Sequence, residues 1–231
     1  MTHNMKRKKM VDDRGVLPQS LAHVSWIGGP PDAGKSTVAD LLGAWHNAHV
    51  YHFDRHEMDH IARANPVRHP EVYRLGQQLA ALGEPAWLEL DWVRPTPEEM
   101  ARRTIAIWTE RVSLAVEDLL ALPEGVPIIA EGPGFFPWAV LTLITGPQRA
   151  IFLIPTKDFK LASHARRGKS MGRGQRTSDP HRYHTNHIAW DLLMAESYRH
   201  AVRESGVRWI GVDGGKGAQA VAQEVAEHFG L

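Results

Sequence analysis

The stretch WIGGPPDAGKSTVADLL, residues 26–42, decides the fold of this chain. Residues 29–36 within it read as a glycine, four further residues and then Gly-Lys-Ser. This spacing is typical of a phosphate-binding loop when it lies between a buried strand and an amphipathic helix. Both neighbours are predicted, because residues 24–28 are short and apolar and residues 35–48 carry apolar side chains at helical spacing.

Each residue type in this loop contributes to binding an anion. Glycines let successive backbone N–H groups turn toward one phosphate, and the positive end of the following helix adds to the attraction. Lys35 can reach the outer phosphates, and the hydroxyl of Ser36 can bind Mg²⁺. The residues predicted to contact the nucleotide are Gly29, Asp32, Ala33, Gly34, Lys35, Ser36 and Thr37.

The composition is that of a globular protein, since 43% of the 231 residues are hydrophobic and 23% are charged. The net charge of +1 gives no overall field that favours nucleic acid or a membrane surface. Cysteine is absent, so the chain can form no disulfide and no thiolate. No apolar run approaches the ~18 residues that span a bilayer, and no secretory signal precedes the first strand. A cytoplasmic location is therefore expected.

Apolar segments alternate with helical patterns along the chain. The predicted strands are residues 24–28, 49–53, 126–132, 149–155 and 207–213, and the predicted helices include residues 35–48, 98–122, 180–205 and 218–229. Thr96 and Asp179 are predicted N-caps, each followed by a proline at the first helical position. The alternation predicts one α/β domain, residues 21–231, with a parallel sheet covered on both faces. Residues 1–20 are expected to form a mobile N-terminal tail.

The phosphate loop alone does not distinguish a kinase from a GTPase or an ATPase motor. A GTPase would show a guanine-reading Asn-Lys-x-Asp after a later strand, but the fourth strand is followed by PTKDFK, residues 155–160. A motor usually has an Asp-Glu pair after an apolar strand, whereas the third strand here ends in Ala-Glu-Gly-Pro, residues 130–133. The sequence therefore favours a kinase.

Four segments together resemble the small-molecule branch of the P-loop kinases, which includes nucleoside, nucleotide, gluconate and shikimate kinases and chloramphenicol phosphotransferase. The segments are GGPPDAGKS after the first strand, HFD at the end of the second, AEG at the end of the third and an arginine-rich stretch after the fourth. The resemblance implies a five-stranded parallel sheet in the order 2-3-1-4-5 and a lid at residues 160–180. It also implies ATP and Mg²⁺ as cofactors and transfer of the γ-phosphate to a hydroxyl.

Two acids at strand ends are the candidates for this chemistry. Asp54 follows the second strand, and in the resembled family a carboxylate there receives the proton of the acceptor hydroxyl or orients that hydroxyl. The alternative for Asp54 is an N-cap of the next helix, and both roles can hold together. Glu131 ends the third strand and can hold a Mg²⁺-bound water or touch the acceptor. Its alternative is a buried carboxylate with satisfied hydrogen bonds.

The stretch HARRGKSMGRGQR supplies Arg166, Arg167, Lys169, Arg173 and Arg176. Phosphoryl transfer requires positive charge on the moving group, and the glycines of this stretch permit the hinge motion of a lid. We assign catalytic roles to Arg167 and Arg173 and nucleotide contact to Arg166. The alternative is a solvated basic loop. Gly214, after the fifth strand, is expected to lie against the adenine, as the resemblance implies, or else to form an ordinary turn.

The acceptor side is expected in the proline-rich residues 65–97, interpreted as an insertion of short helices and loops. Trp87, Trp92 and Arg94 in this insertion can clamp a ring and an anion, or the tryptophans can belong to the core. Two groups of histidines have helical spacing, at positions 52, 56 and 60 and at positions 181, 184 and 187. Neither belongs to an HExxH pattern, so no transition-metal site is predicted.

The sequence thus predicts a kinase that transfers the γ-phosphate of ATP to a hydroxyl of a small molecule, such as a nucleoside, a sugar or an antibiotic-like compound. The expected partner is this acceptor, with no nucleic acid and no membrane, and a homodimer is compatible with the sequence. The alternative is an ATP-binding or ATP-hydrolysing protein with a regulatory or toxin-like role and no small-molecule acceptor.

Overall fold

The computed structural model describes residues 17–123, 125–167 and 171–231, apart from the side chains of residues 167 and 171. Five parallel strands form one sheet: β1 (Val24–Gly28), β2 (His49–His52), β3 (Ile128–Gly132), β4 (Ala150–Pro155) and β5 (Trp209–Val212). Their order across the sheet is β2-β3-β1-β4-β5. The predicted fold class and strand order are confirmed.

Helices connect these strands and cover the sheet. They are α1 (Lys35–His46), α2 (Glu57–Arg63), α3 (Pro70–Leu88), α4 (Pro97–Leu120), α5 (Pro137–Val140), α6 (Lys157–Arg167), α7 (Met171–Gly174), α8 (Pro180–Ser205) and α9 (Ala218–Phe229). Single 3₁₀ turns lie at Phe53–His56 and Pro147–Arg149, and a π-helical turn lies at Glu89–Val93. No helix in the described part of the chain is long and apolar enough to cross a membrane.

The two faces of the sheet bury different side chains because successive residues of a strand point in opposite directions. Trp26 and Phe152 lie in a core shared with α4 and α8, whereas Ile27 and Ile151 lie in a core shared with α1 and α9. Every residue of β1, β3 and β4 is buried. This is the burial expected for a parallel sheet with helices on both faces.

The register of the strands brings three strand ends to one edge of the sheet. Gly28 at the end of β1 is paired with Gly132 of β3 and with Phe152 of β4, and His52 of β2 is paired with Glu131. The segments that follow β1, β2 and β3 therefore begin side by side. In open α/β sheets this edge is where ligands bind.

The predicted helix caps are present. Thr96 accepts a hydrogen bond from the backbone of Glu99, whose side chain accepts one from the backbone of Thr96, and this completes a capping box. Asp179 accepts a hydrogen bond from the backbone of Arg182 at the start of α8. Of the predicted tail, residues 1–16 lie outside the described residues, residues 17–20 are helical, and Leu17 packs against the core.

The insertion differs from its prediction, because residues 65–97 include the 19-residue helix α3 rather than only short helices and loops. Its prolines are compatible with helix: Pro70 is at the first helical position, and Pro85 follows a break at Gly83. Gly83 has φ 68° and ψ 167°, a conformation open to glycine, and it divides α3 into two parts. The second part turns toward residues 173–178, which belong to the predicted lid.

Candidate active site

The phosphate loop runs from the end of β1 to the start of α1, as the motif requires. Gly29 has φ 138°, and a Cβ on it would lie 2.2 Å from the carbonyl oxygen of Leu153 in β4. Gly34 has φ 81° and is the N-cap residue of α1. Only glycine satisfies both positions, and the resulting turn directs the first N–H groups of α1 toward an anion.

Lys35 lies on the first turn of α1 and is buried against the phosphate loop, whereas Ser36 beside it is exposed. The Nζ atom of Lys35 donates to the carbonyl oxygen of Pro30 at 2.9 Å, and the side chain is buried. This burial lowers the pKa of the Lys35 ammonium, although the carboxylates of Glu131 and Asp54 oppose the shift. The cation is thus held against the loop that would surround a phosphate.

Glu131 is joined directly to the phosphate loop. Ser36 Oγ donates to Glu131 Oε1 at 3.0 Å, and His52 Nδ1 donates to the same oxygen at 2.8 Å. His52 Nε2 lies 3.2 Å from Asp40 Oδ1. Both hydrogen bonds go to one oxygen of the buried Glu131 carboxylate, and one of the donors is the serine predicted to bind metal.

The side chains of Ser36 and Glu131 are suitable ligands for a magnesium ion. A hydroxyl oxygen and a carboxylate oxygen within hydrogen-bonding distance are the hard ligands that Mg²⁺ prefers. His52 was not predicted from the sequence as part of this site. It was assigned only to a histidine group at helical spacing, and its contact with Glu131 comes from the parallel register of β2 and β3.

Asp54 faces the phosphate loop across a cavity of about 350 Å³, which we call the phosphate cavity. Residues 31–37 form the rest of its lining. Asp54 is exposed to this cleft, yet the surrounding protein removes enough water to raise the pKa of its carboxyl. Helix α2 begins at Glu57 with His56 as its N-cap, so Asp54 does not cap it.

Arg111 of α4 supports the segment that carries Asp54, and the sequence analysis missed it. Its Nη2 donates to the carbonyl oxygen of Phe53 at 2.8 Å, and its guanidinium lies 4.2 Å from the centre of the Phe53 ring. The side chain is fully buried. The available signal was its helical position, since Arg111 shares the buried face of α4 with Ile107 and Leu114.

The predicted lid arginines lie in different places. Arg176 binds Glu84 of α3 through two hydrogen bonds of 2.5 and 3.0 Å, and Arg173 Nε lies 3.7 Å from the same carboxylate. Arg166 is exposed on α6. The side chain of Arg167, like Lys169 as a whole, lies outside the described residues. Exposed ion pairs of this kind are weak, so a phosphate can compete with Glu84 for the arginines.

Gly214 lies in the exposed loop between β5 and α9, with φ 89°. A Cβ on it would lie 3.2 Å from the ring of Phe159 in α6. Neither Gly214 nor Arg166 lines the phosphate cavity. The contact of Gly214 with the adenine and the contact of Arg166 with the nucleotide stay predictions.

Of the predicted histidine group, His52 ends β2, His56 lies in the 3₁₀ turn and only His60 lies on α2. Among the described residues, one possible ion site is formed where ligand atoms of His56, Asp59 and Asp118 converge. Arg63 donates to the carboxylates of both Asp59 and Asp118. Its guanidinium therefore already supplies the positive charge between these two carboxylates, and the group has the contacts of an ion-pair network.

A buried ion pair, Lys160 with Asp191, contacts the phosphate loop at the carbonyl oxygen of Pro31. Lys160 Nζ donates to Asp191 Oδ1 at 2.5 Å and to the carbonyl oxygen of Pro31 at 2.8 Å, and His164 Nε2 donates to Asp191 Oδ2 at 2.8 Å. Burial lowers the pKa of the Lys160 ammonium, whereas the charge on Asp191 raises it. The pair joins α6, α8 and the loop.

We expect Lys160→Met to lower the free energy of unfolding by about 3–5 kcal/mol, because it leaves the buried Asp191 without its cation. Denaturant unfolding followed by circular dichroism measures this loss. The control is the double variant Lys160→Met with Asp191→Asn, which removes both charges and is expected to be more stable than the single variant. Equal or greater instability of the double variant would contradict the charge argument.

No family model matches the chain, and no curated protein matches it. Solved structures do match. TT1252 from Thermus thermophilus is 20% identical with a TM-score of 0.48, over 88% of this chain and 96% of that one. Shikimate kinase from Acinetobacter baumannii, solved with shikimate, is 15% identical with a TM-score of 0.45, over 91% and 95%. Thymidylate kinase from Candida albicans is 16% identical with a TM-score of 0.44, over 88% and 89%.

At these sequence identities a structural match is informative about the fold alone. The fold is therefore assigned from the order of the strands and from the geometry of the phosphate loop. Strand β1 lies at the centre of the order 2-3-1-4-5 and leads into the loop. The strand order and the place of the phosphate loop are those that the resemblance to the P-loop kinases implies.

Proposed function

We propose that the protein is a kinase that transfers the γ-phosphate of ATP to a hydroxyl group of a small molecule. The observation that carries the proposal is the placement of Asp54 in the same cavity as the phosphate loop. Glu131, beside Ser36, already supplies the carboxylate that a bound nucleotide would use for Mg²⁺, so Asp54 is a second carboxylate at the phosphate loop. A carboxylate there repels bound phosphate, and its use is to bind the hydroxyl that attacks.

The proposed reaction gives each of these residues a task. The acceptor oxygen attacks the γ-phosphorus, the bond from that phosphorus to the β–γ bridging oxygen breaks, and ADP leaves with that oxygen. Asp54 accepts the proton of the acceptor hydroxyl. Lys35 stabilises the charge on the outer phosphates. Ser36 would hold Mg²⁺ directly and Glu131 would hold it through a water molecule, and the ion would supply positive charge to the phosphates.

The lid residues supply further positive charge in this proposal. Arg173 and Arg176 lie together at Glu84, and either can exchange that exposed carboxylate for the γ-phosphate. Arginine suits the task because its planar fork binds two phosphate oxygens at once. We keep Arg173 and Arg167 as the proposed catalytic arginines and Arg166 and Gly214 as proposed nucleotide contacts.

A transfer assay with γ-labelled ATP and Mg²⁺ tests the proposal. The panel contains nucleosides, saturated sugars, sugar acids and hydroxylated aromatic compounds, together with a small-molecule extract of cells. We expect the label in a phosphorylated organic product. Label released only as inorganic phosphate, with every acceptor and with the extract, would contradict the kinase and favour an ATP-hydrolysing regulator.

The pH dependence of the reaction should report on Asp54. Burial raises the pKa of the Asp54 carboxyl, and the carboxylates of Glu131 and Glu57 raise it further. The positive charges of Lys35 and Arg111 lower it. The raised pKa favours the protonated form, which cannot accept a proton. As the pH is lowered, kcat/KM should therefore begin to fall at a higher pH than it would for an aspartate with the ordinary pKa. A pH profile of kcat/KM measures this limb. The limb should be absent from Asp54→Asn, and its persistence there would assign it to another group.

A further inference from the structure

A second and larger cavity of about 590 Å³ lies beside the phosphate cavity. It is enclosed by α8, the π-helical turn and the lid, and the two cavities share Pro31 and Asp32 of the phosphate loop. Its volume lies within the range of about 300–1,000 Å³ that is usual for small-molecule sites. A molecule in this second cavity can therefore present one end to the phosphate loop.

Four rings form the wall of this cavity, which we call the aromatic cavity. Tyr183, His187 and Trp190 are spaced by four and three residues along α8, so they share one face of the helix. Trp92 of the π-helical turn meets all three, with ring centroids 5.9, 5.2 and 5.1 Å away respectively. Tyr183 and Trp190 are buried and Trp92 is partly buried in these contacts, and the ring surface that stays exposed lines the cavity.

The charges in this wall are compensated. Asp191 lines the cavity, but its carboxylate is bound by Lys160 and His164. Burial lowers the pKa of His187 to about 4, with His164, His184 and Lys160 acting in the same direction and Asp191 against them. The imidazole of His187 is therefore neutral at physiological pH. The described arginines of the cavity, at positions 173 and 176, lie in the lid beside Glu84.

The location of the aromatic cavity separates it from the predicted base site. Its wall belongs to α8, which packs with α4 on one face of the sheet. The loop that carries Gly214 leads into α9, which packs with α1 on the opposite face. A nucleotide that extends from the phosphate loop toward Gly214 leaves the aromatic cavity open to the second substrate.

We infer, on the basis of the proposed kinase function, that the aromatic cavity binds the phosphate acceptor, and that this acceptor is an alcohol carrying a flat, uncharged ring. The ring packs against Trp92, Tyr183 and Trp190, where offset and edge-to-face contacts are favourable. Its hydroxyl lies near Pro31 and Asp32, the residues that line both cavities, and Asp54 lines the phosphate cavity beside them. A saturated sugar or sugar acid lacks the flat face that these contacts require.

The test compares acceptors of similar size that differ in the ring. Nucleosides and phenyl-bearing diols are assayed against saturated sugars and sugar acids, with γ-labelled ATP. We expect the flat-ring alcohols to show a kcat/KM at least tenfold higher. Phosphorylation of saturated sugars or sugar acids with the higher kcat/KM would overturn the inference and leave the kinase intact.

Variants of one tryptophan locate the binding site. Trp92→Leu is expected to raise the KM of the ring acceptor at least tenfold and leave the KM of ATP within twofold, while Trp92→Phe keeps most of the affinity. Trp45→Leu is the matched control, because Trp45 is exposed on α1 outside both cavities. An acceptor KM that does not change in Trp92→Leu would overturn the placement.

A binding measurement separates failure of this inference from failure of the proposed function. Calorimetric titration of the flat-ring alcohols requires no turnover. Binding that depends on Trp92, without any transfer of label, would keep the ring site but reject the kinase. Absence of binding by every flat-ring alcohol, with transfer to another acceptor, would reject the ring site alone.

Discussion

Asp54→Asn is expected to lower kcat about 10²–10⁴-fold while the Kd of ATP changes little. The substitution keeps the size of the side chain and removes its capacity to accept a proton. Asp54 lies on the rim of the phosphate cavity and does not cap α2, so its loss should leave the fold in place. Removal of a negative charge that faces the phosphates can only favour ATP.

The measurement pairs single-turnover transfer with titration of ATP. Asp59→Asn is the matched control, since Asp59 lies five residues further along the chain, is exposed, and binds Arg63 outside the phosphate cavity. The control should keep its kcat. If Asp54→Asn keeps a kcat within threefold of the wild type, the acceptor hydroxyl is handled by another group.

The fold could be predicted because its determinants are local. Each buried strand is a short apolar run, and the phosphate motif fixes the joint between β1 and α1. Asp54 and Glu131 were identified for the same reason, as each follows or ends an apolar strand. The parallel register then brings such residues to one edge without any further information.

The missed residues depend on contacts between distant elements. Lys160 and Asp191 are 31 residues apart, and Arg111 binds a carbonyl 58 residues away in sequence. A charged residue in a helix is usually solvated, so the apolar neighbours of Arg111 on its helix face were only a weak signal of burial. The prolines of residues 65–97 concealed α3 from the prediction, because Pro70 occupies its first helical position and Pro85 follows the break at Gly83.

We expect Lys35→Met to lower kcat/KM for ATP about 10²–10³-fold. The substitution removes the fixed positive charge that stabilises the negative charge developing on the phosphates during transfer. Methionine has a similar length and no charge. Transfer of label under kcat/KM conditions measures the effect. Lys157→Met is the control, since Lys157 is exposed at the start of α6 and should leave kcat/KM unchanged.

The stability of Lys35→Met distinguishes a functional lysine from a structural one. Burial lowers the pKa of the Lys35 ammonium, so the folded protein pays a desolvation cost to keep the charge, and this cost offsets the attraction of Glu131 and Asp54. The melting temperature should therefore change by less than about 4 °C, which corresponds to about 1 kcal/mol for a chain of this size. A large fall in melting temperature would indicate that Lys35 chiefly holds the loop through the carbonyl of Pro30. An unchanged melting temperature with lost transfer would place its role in phosphate chemistry.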